Sequence, residues 1–453
     1  MRLERNHMRE QAPCERAKNF KEVCTGFDEK TAVIEAQRCL NCKTRPCVAG
    51  CPVNVKIPDF ITLVKVGKFE EAAQKILETN NLPAICGRVC PQESQCEKYC
   101  VRNKLEGAVS IGGLERFVAD YHLNNKKETK TEIKKNGKRV AVVGSGPSGL
   151  TCAADLEKAG FDVTVFEAFH KAGGVLVYGI PEFRLPKDLV QKEIDEVKDL
   201  GVNFELDTVI GKTYLMEDLL EDFDAVYIGS GAGLPSFLGI EGESLVGVFS
   251  ANEYLTRVNL MKAYLPGSDT PLPRSKKCVV VGGGNVAMDG ARTALRMGAE
   301  TTIVYRRSRD EMPARAEEIR HAEEEGINFA LLTNPVRVLG ENGKVKGIEC
   351  VKMALGEPDE SGRRRPEEIK GSNFVIDCDM VIIAVGTSPN PIITSSFKAL
   401  QTGRKGTLII DDKGETSVEN VYAGGDAVTG AATVILAMGA GKLAAKSIIK
   451  KLG

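Results

Sequence analysis

The sequence has almost no net charge and no long apolar run. Lysine and arginine number 61 against 62 aspartate and glutamate residues, so the formal charge is −1, which gives no electrostatic reason to expect nucleic acid or an anionic membrane as a partner. No apolar stretch approaches the roughly 18–20 residues that span a bilayer. The opening residues, MRLERNHMREQAP, contain no apolar region typical of a secretion signal. We therefore expect a cytoplasmic protein.

Closely spaced pairs of cysteines are also missing from most of the chain. No C-x-x-C pair occurs after residue 100, which argues against a disulfide reductase, because such an enzyme needs a redox-active pair beside its flavin. The four later cysteines stand in apolar or helical contexts and are expected to be small core residues. They are Cys152, Cys278, Cys350 and Cys378.

The first 100 residues, in contrast, hold ten of the 14 cysteines. Because the cytosol keeps thiols reduced, metal ligation explains them better than disulfide bonds. Two groups stand out, CLNCKTRPCVAGC followed by Pro52 and CGRVCPQESQCEKYC. Sets of four cysteine thiolates hold [4Fe–4S] clusters, and all-cysteine zinc sites are the alternative.

The spacing suggests how two clusters would share these thiolates. In two-cluster ferredoxins the cysteine that precedes proline serves the other cluster. We therefore assign Cys39, Cys42 and Cys47 to one cluster and Cys51 to the other. The second group supplies the remaining ligands across the two clusters, from Cys90, Cys96 and Cys100, with Cys86 left undecided.

At 453 residues the chain is too long for a single core, and its pattern changes along its length. Residues 1–125 look helical, with helical apolar spacing from Phe60 to Ile76 and again from Leu114 to Leu123, and no convincing strand. The charged residues 126–138 are a predicted linker. Two β-α-β units follow, the first from Arg139 and the second from Cys278, and they predict parallel sheets in two nucleotide-binding domains.

The first unit contains a glycine loop of the form G-x-G-x-x-G. In GSGPSG the glycines permit a tight turn, close approach of a pyrophosphate and strand–helix packing, and the helix N-terminus adds positive partial charge. Glu167 ends the next strand and suits a ribose hydroxyl. The candidate binding residues are Gly144, Ser145, Gly146, Pro147, Gly149 and Glu167.

The second unit contains a related loop, G-x-G-x-x-A, with different chemistry after it. At the position that matches Glu167 the sequence reads YRR, and arginine there favours the 2′-phosphate of NADP(H) over NAD(H). Arg309 is a nearby candidate. The candidate residues of this second site are Gly282, Gly284, Asn285, Val286, Arg306, Arg307 and Arg315.

Near the C-terminus the segment VYAGGDAVTGAATV leads into an apolar helix that contains glycine. We expect Gly425 and Asp426 to lie near the ribityl–phosphate part of a flavin, with the helix N-terminus near its isoalloxazine. A buried helix with a capping aspartate is the alternative.

Together these motifs resemble a family of iron–sulfur flavoproteins. The family includes the small subunit of NADPH-dependent glutamate synthase, the large subunit of NADH-dependent ferredoxin–NADP oxidoreductase, the sulfide dehydrogenase α-subunit and the N-terminal half of dihydropyrimidine dehydrogenase. The motifs that carry the resemblance are RCLNCKTRPCVAGCP, CGRVCPQESQCE, GGVLVYGIPEFRLP, GGGNVAMD, YRRSRDEMPA and AGGDAVTGAATV.

The resemblance implies two [4Fe–4S] clusters, one FAD and an NADP(H) site. It implies that Cys39, Cys42, Cys47 and Cys100 bind the first cluster, and that Cys51, Cys90, Cys96 and Glu115 bind the second, with Cys86 as a non-ligand. It also implies flavin contacts from Gly174, Arg184, Val209, Thr433 and Val434.

The implied fold is a helical iron–sulfur domain followed by two Rossmann-like domains, the second inserted in the first. We place the iron–sulfur domain at 1–125, the linker at 126–138, the FAD-binding domain at 139–250 and 386–453, and the NADP(H)-binding domain at 251–385. The strands in 224–232 and 379–389 would mark where the chain leaves and re-enters the flavin domain.

The implied activity is hydride exchange between NADP(H) and FAD, with single electrons passing through the clusters to a partner subunit. We nominate no acid–base residue, because the cofactors do the chemistry. The expected partner is a flavin and iron–sulfur subunit that connects to ferredoxin and NAD(H) in an electron-bifurcating hetero-oligomer. The alternatives are the small subunit of glutamate synthase, the sulfide dehydrogenase α-subunit, or, outside the enzymes, a zinc-binding regulator.

Overall fold

The computed structural model describes residues 4–126, 133–358 and 362–453. A helical N-terminal region is followed by two five-stranded parallel sheets, each flanked by helices. The predicted linker 126–138 is described only at its ends, since residues 127–132 lie outside the described residues. No described helix has both the length and the apolar character needed to cross a bilayer.

The N-terminal region is helical, but it differs from the prediction in two places. A short antiparallel ribbon joins two strands that are too brief to leave a sequence pattern. The helix predicted from Phe60 to Ile76 is two helices, because Gly67 adopts a φ of +76° after the first of them ends. The elements are β1 (Arg9–Glu10), α1 (Pro13–Arg16), β2 (Cys24–Gly26), α2 (Glu29–Ala36), α3 (Pro46–Ala49), α4 (Ile57–Lys65), α5 (Phe69–Leu77), α6 (Pro83–Val89) and α7 (Ile111–Asn125).

The first nucleotide unit begins as predicted, with a strand, a glycine loop and a helix. Its elements in chain order are β3 (Arg139–Val143), α8 (Pro147–Lys158), β4 (Asp162–Phe166), α9 (Val175–Tyr178), α10 (Lys187–Asp199), β5 (Asn203–Glu205), α11 (Met216–Asp222), β6 (Ala225–Ile228) and β7 (Leu234–Pro235). Strands β3 and β4 are almost wholly buried, as expected of a parallel sheet covered on both faces.

The chain then builds the second unit. Its elements are β8 (Val248–Ser250), α12 (Ala251–Asn259), β9 (Lys277–Val281), α13 (Asn285–Arg296), β10 (Glu300–Val304), α14 (Ala316–Glu324), β11 (Asn328–Ala330), β12 (Thr333–Glu341), β13 (Lys344–Pro358), β14 (Arg364–Glu368), β15 (Phe374–Asp377) and β16 (Met380–Ile383). The parallel sheet has the order β11-β10-β9-β16-β8, and β12 to β15 form a separate antiparallel sheet that the sequence patterns did not predict.

The chain returns to the first sheet through β17 (Thr387–Ser388), α15 (Ile392–Ser396), β18 (Val421–Ala423), α16 (Asp426–Thr429) and α17 (Val434–Leu452). The first sheet has the order β18-β6-β3-β4-β5, so the second unit is nested within the first. Strands β7 and β17 pair antiparallel where the chain leaves and returns. Strand β8 pairs with β16, so residues 248–250 lie in the second sheet, although the predicted boundary placed them at the end of the first domain.

One apolar core joins the helical N-terminal region, which the family resemblance implies is the iron–sulfur region, to the first nucleotide unit. It contains residues of α4 to α7 together with Leu176, Ile194 and Met438 from the nucleotide unit. Helices α8 and α17 pack so closely that a Cβ at Gly441 would lie 2.3 Å from the Ser148 carbonyl oxygen. The cysteine region and the first glycine loop therefore share one rigid framework.

Candidate metal and nucleotide sites

In the folded chain the first cysteine group, which gains Cys100 and loses Cys51 relative to the sequence motif CLNCKTRPCVAGC, lines a small apolar pocket. Cys39, Cys42, Cys47 and Cys100 all contribute to it, beside Ile57, Ile61, Val101, Val109 and Ile111. Burial raises the pKa of the Cys47 thiol to about 11 and also raises the pKa of Cys39. Buried thiols that resist ionisation require a cation to become thiolates, so this set of donors fits a metal group.

Arg38 holds the segments of the first group together. It is fully buried, and its guanidinium donates to Glu35 Oε1 at 2.7 Å, to the Ala108 carbonyl at 2.9 Å and to the Gly107 carbonyl at 2.7 Å. Arg102 donates in turn to the Arg38 carbonyl at 2.5 Å. These bonds tie the residue before Cys39 to the loop that follows Cys100.

The second group lies deeper, between helices α6 and α7. Cys51, Cys90, Cys96 and Glu115 are close enough to influence one another electrostatically. Burial raises the pKa of Cys51 to about 11 and the pKa of Glu115 to about 7. Three cysteines and one carboxyl group therefore form a second set of donors that fits a metal group, because a bound cation would favour the ionised forms of Cys51, Cys96 and Glu115.

A glycine allows the two helices of the second group to meet. A Cβ at Gly87 on α6 would lie 2.6 Å from the Arg116 backbone nitrogen on α7. The helices therefore cross next to Glu115 and three residues before Cys90. Because no larger residue fits, the position of Glu115 relative to Cys90 depends on this glycine.

The spacing of the thiols argues against zinc. A tetrahedral zinc site with Zn–S bonds near 2.3 Å brings its sulfurs to roughly 3.8 Å from one another. Within the described ranges, the group of three His, Cys, Asp or Glu residues whose ligand atoms all lie within 4.8 Å of one another is Glu10, Glu317 and His321, with no cysteine in it. Within the described residues, no three thiols of either group are that close together, which suits a polynuclear cluster better than a single zinc ion.

Cys86 lies beside the second group and also contacts α17. It is fully buried, and Cys90 and Glu115 are near enough to raise the pKa of its thiol. Its Sγ lies 3.7 Å from Asn80 Oδ1 and 3.4 Å from Met438 Sδ on α17. That Cys86 is not a ligand stays a prediction.

The first glycine loop forms an open cradle. Gly144 has a φ of +98°, and a Cβ at Gly149 would lie 1.9 Å from the Gly144 carbonyl oxygen, whereas nothing lies within 4 Å of a Cβ at Gly146. Pro147 begins α8 and has no N–H to satisfy. The loop is thus closed on the side of the sheet and open where a pyrophosphate would lie.

Glu167 and Gly174 complete the surroundings of this loop. Glu167 is buried and accepts hydrogen bonds from the Ser145 hydroxyl, from Ser145 N at 3.0 Å and from Phe169 N at 2.9 Å. Gly174 has a φ of +53°, and its Cβ would lie 3.0 Å from Gly146 Cα. Val209 follows Thr208, whose N–H donates to the Glu167 carbonyl at 2.9 Å. The structure therefore brings these predicted residues together.

The second glycine loop has the same plan. Gly282 has a φ of +145°, and its Cβ would lie 2.4 Å from the Ala384 carbonyl oxygen, whereas a Cβ at Gly284 meets only Pro313 Cγ at 3.9 Å. Asn285 begins α13 and its Oδ1 accepts from Arg315 N at 2.9 Å, and Val286 is exposed beside it. This loop also leaves space above its second glycine.

The four arginines that lie near this loop in the sequence have different surroundings in the structure. Arg306 is exposed at the end of β10, and the buried Arg307 donates from Nε to the Arg364 carbonyl at 2.8 Å. Arg309 pairs with Glu323. Arg315, expected near the same phosphate, instead turns toward the iron–sulfur region, where it donates to the Arg88 carbonyl at 3.1 Å and to Gln92 at 3.2 Å.

Arg184 also differs from its expected role beside a flavin phosphate. Its guanidinium pairs with Asp289 at 2.7 Å and with Glu318 at 2.8 Å, both in the second nucleotide unit. Arg184 and Arg315 line a cavity of ≈ 210 Å³ between that unit, the iron–sulfur region and the N-terminal segment. Carboxylates therefore already neutralise Arg184, which connects the two nucleotide units.

The C-terminal segment starts beside the first loop and reaches the second cysteine group. Gly425 has a φ of +65°, and its Cβ would lie 3.0 Å from Ser148 Cβ at the start of α8. Burial raises the pKa of Asp426, whose Oδ1 accepts from Ala432 N at 3.2 Å. Thr433 caps α17 by accepting from Leu436 N, and Val434 is its first residue.

Farther along α17, a Cβ at Gly439 would lie 3.2 Å from the Pro52 carbonyl oxygen, next to Cys51. Sequence reasoning missed both Gly439 and Met438, because their contacts are with residues more than 300 positions away. Helix α17 is therefore a direct physical connection between the two candidate sites.

Comparison with known proteins agrees with this division of the chain. Residues 16–127 match the family model described as dihydropyrimidine dehydrogenase domain II, 4Fe-4S cluster. Residues 138–441 match the model described as pyridine nucleotide-disulphide oxidoreductase. Thus an iron–sulfur domain precedes a flavin and pyridine-nucleotide module.

Curated relatives cover nearly all of the chain. The NADPH glutamate synthase small chain of Halomonas elongata is 38% identical over 96% of this chain and 94% of its own length. That of Escherichia coli is 36% identical, with the same coverage of 96% and 94%. The NADP(+)-dependent formate dehydrogenase subunit beta of Moorella thermoacetica is 40% identical over 89% of this chain, which spans only 59% of that longer protein.

Solved structures show the same fold for the nucleotide units. Mycobacterium tuberculosis FprA in complex with NADPH matches with a TM-score of 0.60 at 21% identity, over 70% of this chain and 85% of that chain. Thioredoxin reductase from T. acidophilum matches with a TM-score of 0.51 at 21% identity, over 69% and 98%. From its two domains and its full-length relatives, the chain belongs to the NADP-dependent iron–sulfur flavoprotein oxidoreductases, the family of the glutamate synthase small chain.

Proposed function

We propose that this protein exchanges hydride between NADP(H) and FAD and passes single electrons through two [4Fe–4S] clusters to a partner subunit. The observation that carries the proposal is the continuity of the sites along α17. This helix packs against Ser148 beside the first glycine loop, and it contacts Pro52 and Cys86 of the cysteine region. The first cysteine group lies beyond it, toward the surface.

In this proposal each cofactor has a defined set of residues. Cys39, Cys42, Cys47 and Cys100 would hold the outer cluster, and Cys51, Cys90, Cys96 and Glu115 the inner one. FAD would lie on the loop from Gly144 to Gly149, with Glu167 at its ribose. NADP(H) would lie on the loop from Gly282 to Ala287, with Arg306 and Arg307 at its 2′-phosphate. The FAD domain would follow the predicted boundaries, except that it ends before β8.

The bound cofactors would supply hydride acceptance and one-electron transfer, and the residues would bind and orient them. Helix N-termini and loop amides would hold the phosphates. The buried environment of Cys90 and Cys96 would limit the access of water to the inner cluster. No general acid or base is needed for this role.

The outer cysteine group has the features of an exit toward a partner. Exposed apolar side chains surround it, namely Leu40, Tyr99, Val101 and Leu105. Exposed lysines flank the same cysteines, namely Lys43, Lys65, Lys98 and Lys104. An apolar centre with a basic rim suits a partner surface that is acidic around its own redox group.

For the partner we propose a flavin and iron–sulfur subunit, which would make the complex an electron-bifurcating NADH-dependent ferredoxin–NADP oxidoreductase. The GGGNVAMD and MREQAP stretches support this choice through their resemblance to that large subunit. A second candidate is the small subunit of glutamate synthase, which the full-length coverage of those relatives favours.

Anaerobic reconstitution tests the choice of partner. The chain is purified with each candidate partner and assayed with NADPH. Bifurcation predicts that ferredoxin is reduced only when NAD⁺ is also present. Glutamate formation that depends on glutamine and 2-oxoglutarate, with the glutamate synthase large subunit, would replace the first candidate with the second.

The nucleotide assignment is tested by replacing Arg306 and Arg307 with glutamine. Each charge-assisted hydrogen bond contributes about 1.5–3 kcal/mol, so we expect NADPH binding to weaken by roughly 10- to 100-fold for each arginine replaced, with little change for NADH. Arg309→Gln, which breaks only a surface ion pair, is the control. Equal weakening of NADPH and NADH binding would exclude a role for these arginines at the 2′-phosphate.

A further inference from the structure

Asn80 lies directly behind Glu115, and neither nucleotide site nor any cysteine motif accounts for it. It stands between α5 and α6, is fully buried, and donates from Nδ2 to Glu115 Oε1 at 2.8 Å. Its Oδ1 accepts from the Leu82 backbone nitrogen at 2.9 Å, at the start of α6. Both ends of this amide are therefore in use.

The bond to Leu82 fixes which end of the amide faces Glu115. A flip of Asn80 would aim its NH₂ group at the Leu82 N–H and its oxygen at the carboxylate. That would leave a buried backbone donor without an acceptor, at a cost of about 1–3 kcal/mol. Asn80 is therefore held as a donor toward residue 115.

A fixed donor on one carboxyl oxygen has a chemical consequence for the other. Oε1 of Glu115 is engaged by Asn80, so the second oxygen remains as a ligand for the inner cluster. If residue 115 were glutamine, its single oxygen would face Asn80 and its NH₂ group would face the iron. An amide nitrogen with two protons has no lone pair to offer a metal in this geometry.

We propose that Asn80 is a positioning residue that turns Glu115 toward the inner cluster and makes the site specific for a carboxylate ligand. This inference rests on the proposed ligation by Glu115. Asn80 also contacts Cys86 Sγ at 3.7 Å, so one amide connects α7, the start of α6 and the cysteine beside the cluster. Such outer contacts set the orientation of ligands and the potential of a cluster.

The competing view is that Asn80 only caps the start of α6. The variant Asn80→Asp separates the two views. An aspartate still accepts from Leu82 N, so the cap survives. Its other oxygen, however, is an acceptor where Asn80 has an NH₂ donor. Glu115 would then lie beside a second carboxylate.

The test uses the full-length protein, purified anaerobically with its cofactors. We measure iron per chain, the EPR signals of the reduced clusters and their midpoint potentials. Asn80→Asp should lose about half of the roughly eight irons, or shift the potential of one cluster only. If iron, spectra and potentials remain those of the wild type, Asn80 is a helix cap and the inference is wrong.

Asn81→Asp is the matched control. Asn81 is the next residue, is also buried, donates to Asp155 at 2.8 Å and accepts from Lys158 Nζ at 2.6 Å, so the same substitution adds a carboxylate away from Glu115, beside both Asp155 and Lys158. It should keep both clusters. Comparable cluster loss in Asn81→Asp would mean that burying any new charge here is sufficient, and would overturn the specific role of Asn80.

A double substitution gives the sharpest outcome. Glu115→Gln alone should lose the inner cluster, because Asn80 turns the amide nitrogen toward iron. In Asn80→Asp with Glu115→Gln, the aspartate accepts from the glutamine NH₂ group, and the glutamine oxygen faces the iron. The double variant should therefore regain iron relative to either single variant, and absence of this rescue would contradict the proposal.

Glu115→Ala distinguishes failure of the inference from failure of the underlying assignment. If Glu115→Ala keeps all its iron, Glu115 is not a ligand and the proposed inner site itself is wrong. If Glu115→Ala loses one cluster while Asn80→Asp does not, the site stands and only the role of Asn80 is refuted.

Discussion

The first cysteine group (Cys39, Cys42, Cys47 and Cys100) and the second group (Cys51, Cys90, Cys96 and Glu115) have different surroundings. The first is half-exposed, and a pocket with Val101 at its edge reaches the surface. The second is largely buried between α6, α7 and α17 and includes Glu115 as a fourth donor. Local sequence supplies most of the first group, whereas the second depends on helices from distant parts of the chain. This difference suggests a division of work, with one site facing a partner and the other facing the flavin module.

The largest expected effect is the loss of one cluster when a single cysteine of either group is replaced. Cys47→Ser should remove the outer cluster and Cys96→Ser the inner one, since each variant lacks one of the four thiolate or carboxylate ligands of its cluster. Each variant should keep about four irons of about eight. The EPR signal that survives in one variant should be the signal that is absent from the other. If both variants lack the same signal, the cysteines are wrongly divided.

The difference in exposure between the two cysteine groups can also be tested in the wild-type protein. Because the outer group reaches the surface, an iron chelator under anaerobic conditions should remove the signal that Cys47→Ser lacks before the signal that Cys96→Ser lacks. Loss in the opposite order would contradict the assignment of the exposed site.

A smaller effect is expected from a substitution at Gly87, where helices α6 and α7 cross beside the second group. Gly87→Ala forces a Cβ to 2.6 Å from Arg116 N, and such overpacking costs about 1–3 kcal/mol. We expect a lower unfolding temperature and partial loss of the inner cluster, with the outer cluster intact. Gly290→Ala is the control, because its Cβ meets only side chains at 3.6 and 3.8 Å. Equal loss from both clusters would show that the crossing does not act on the second group alone.

The glycine loops could be predicted from the sequence because their patterns are local, whereas the nesting of the second unit in the first was implied by the resemblance to known flavoproteins. A strand, a glycine at positive φ and a helix follow one another within about 20 residues in each unit. The antiparallel sheet from β12 to β15 was missed, although Asn342-Gly343 between the alternating segments VRVL and KVKGIECV is typical of a β-hairpin. Likewise Gly67 stands within a continuous helical pattern, and only the structure shows that α4 ends before it.

The arginines show why site residues are harder to predict than folds. Arg315 was chosen because basic residues near nucleotide motifs suit phosphates, and Arg184 because the family resemblance implies a flavin contact there. Their actual partners are carboxylates and carbonyls such as Asp289 and the Arg88 carbonyl, which approach only in the folded chain. Asn80 was overlooked for the same reason, since its bond to Glu115 joins residues 35 positions apart.

The smallest expected effect is on the pH dependence of stability, through His122 at the contact between α7 and α10. His122, near the end of α7, lies 2.8 Å from Glu70 and 3.8 Å from Glu196 on α10. The neighbouring Glu196 carboxylate, opposed by burial and helped by the hydrogen-bonded Glu70, raises the pKa of His122 above its usual 6.5. The folded state therefore binds the proton more tightly than the unfolded state does.

It follows that His122 stabilises the protein fully below about pH 6.5, and that this contribution disappears as the pH rises through the folded-state pKa. For a half-buried pair we expect less than about 1 kcal/mol. Unfolding free energy measured from about pH 5.5 to about pH 8.5 should fall with pH in the wild type, and less so in His122→Gln. Because α7 also carries Glu115, any pH effect on iron retention should appear at the inner cluster, and an effect confined to the outer cluster would break the link between this interface and the second group.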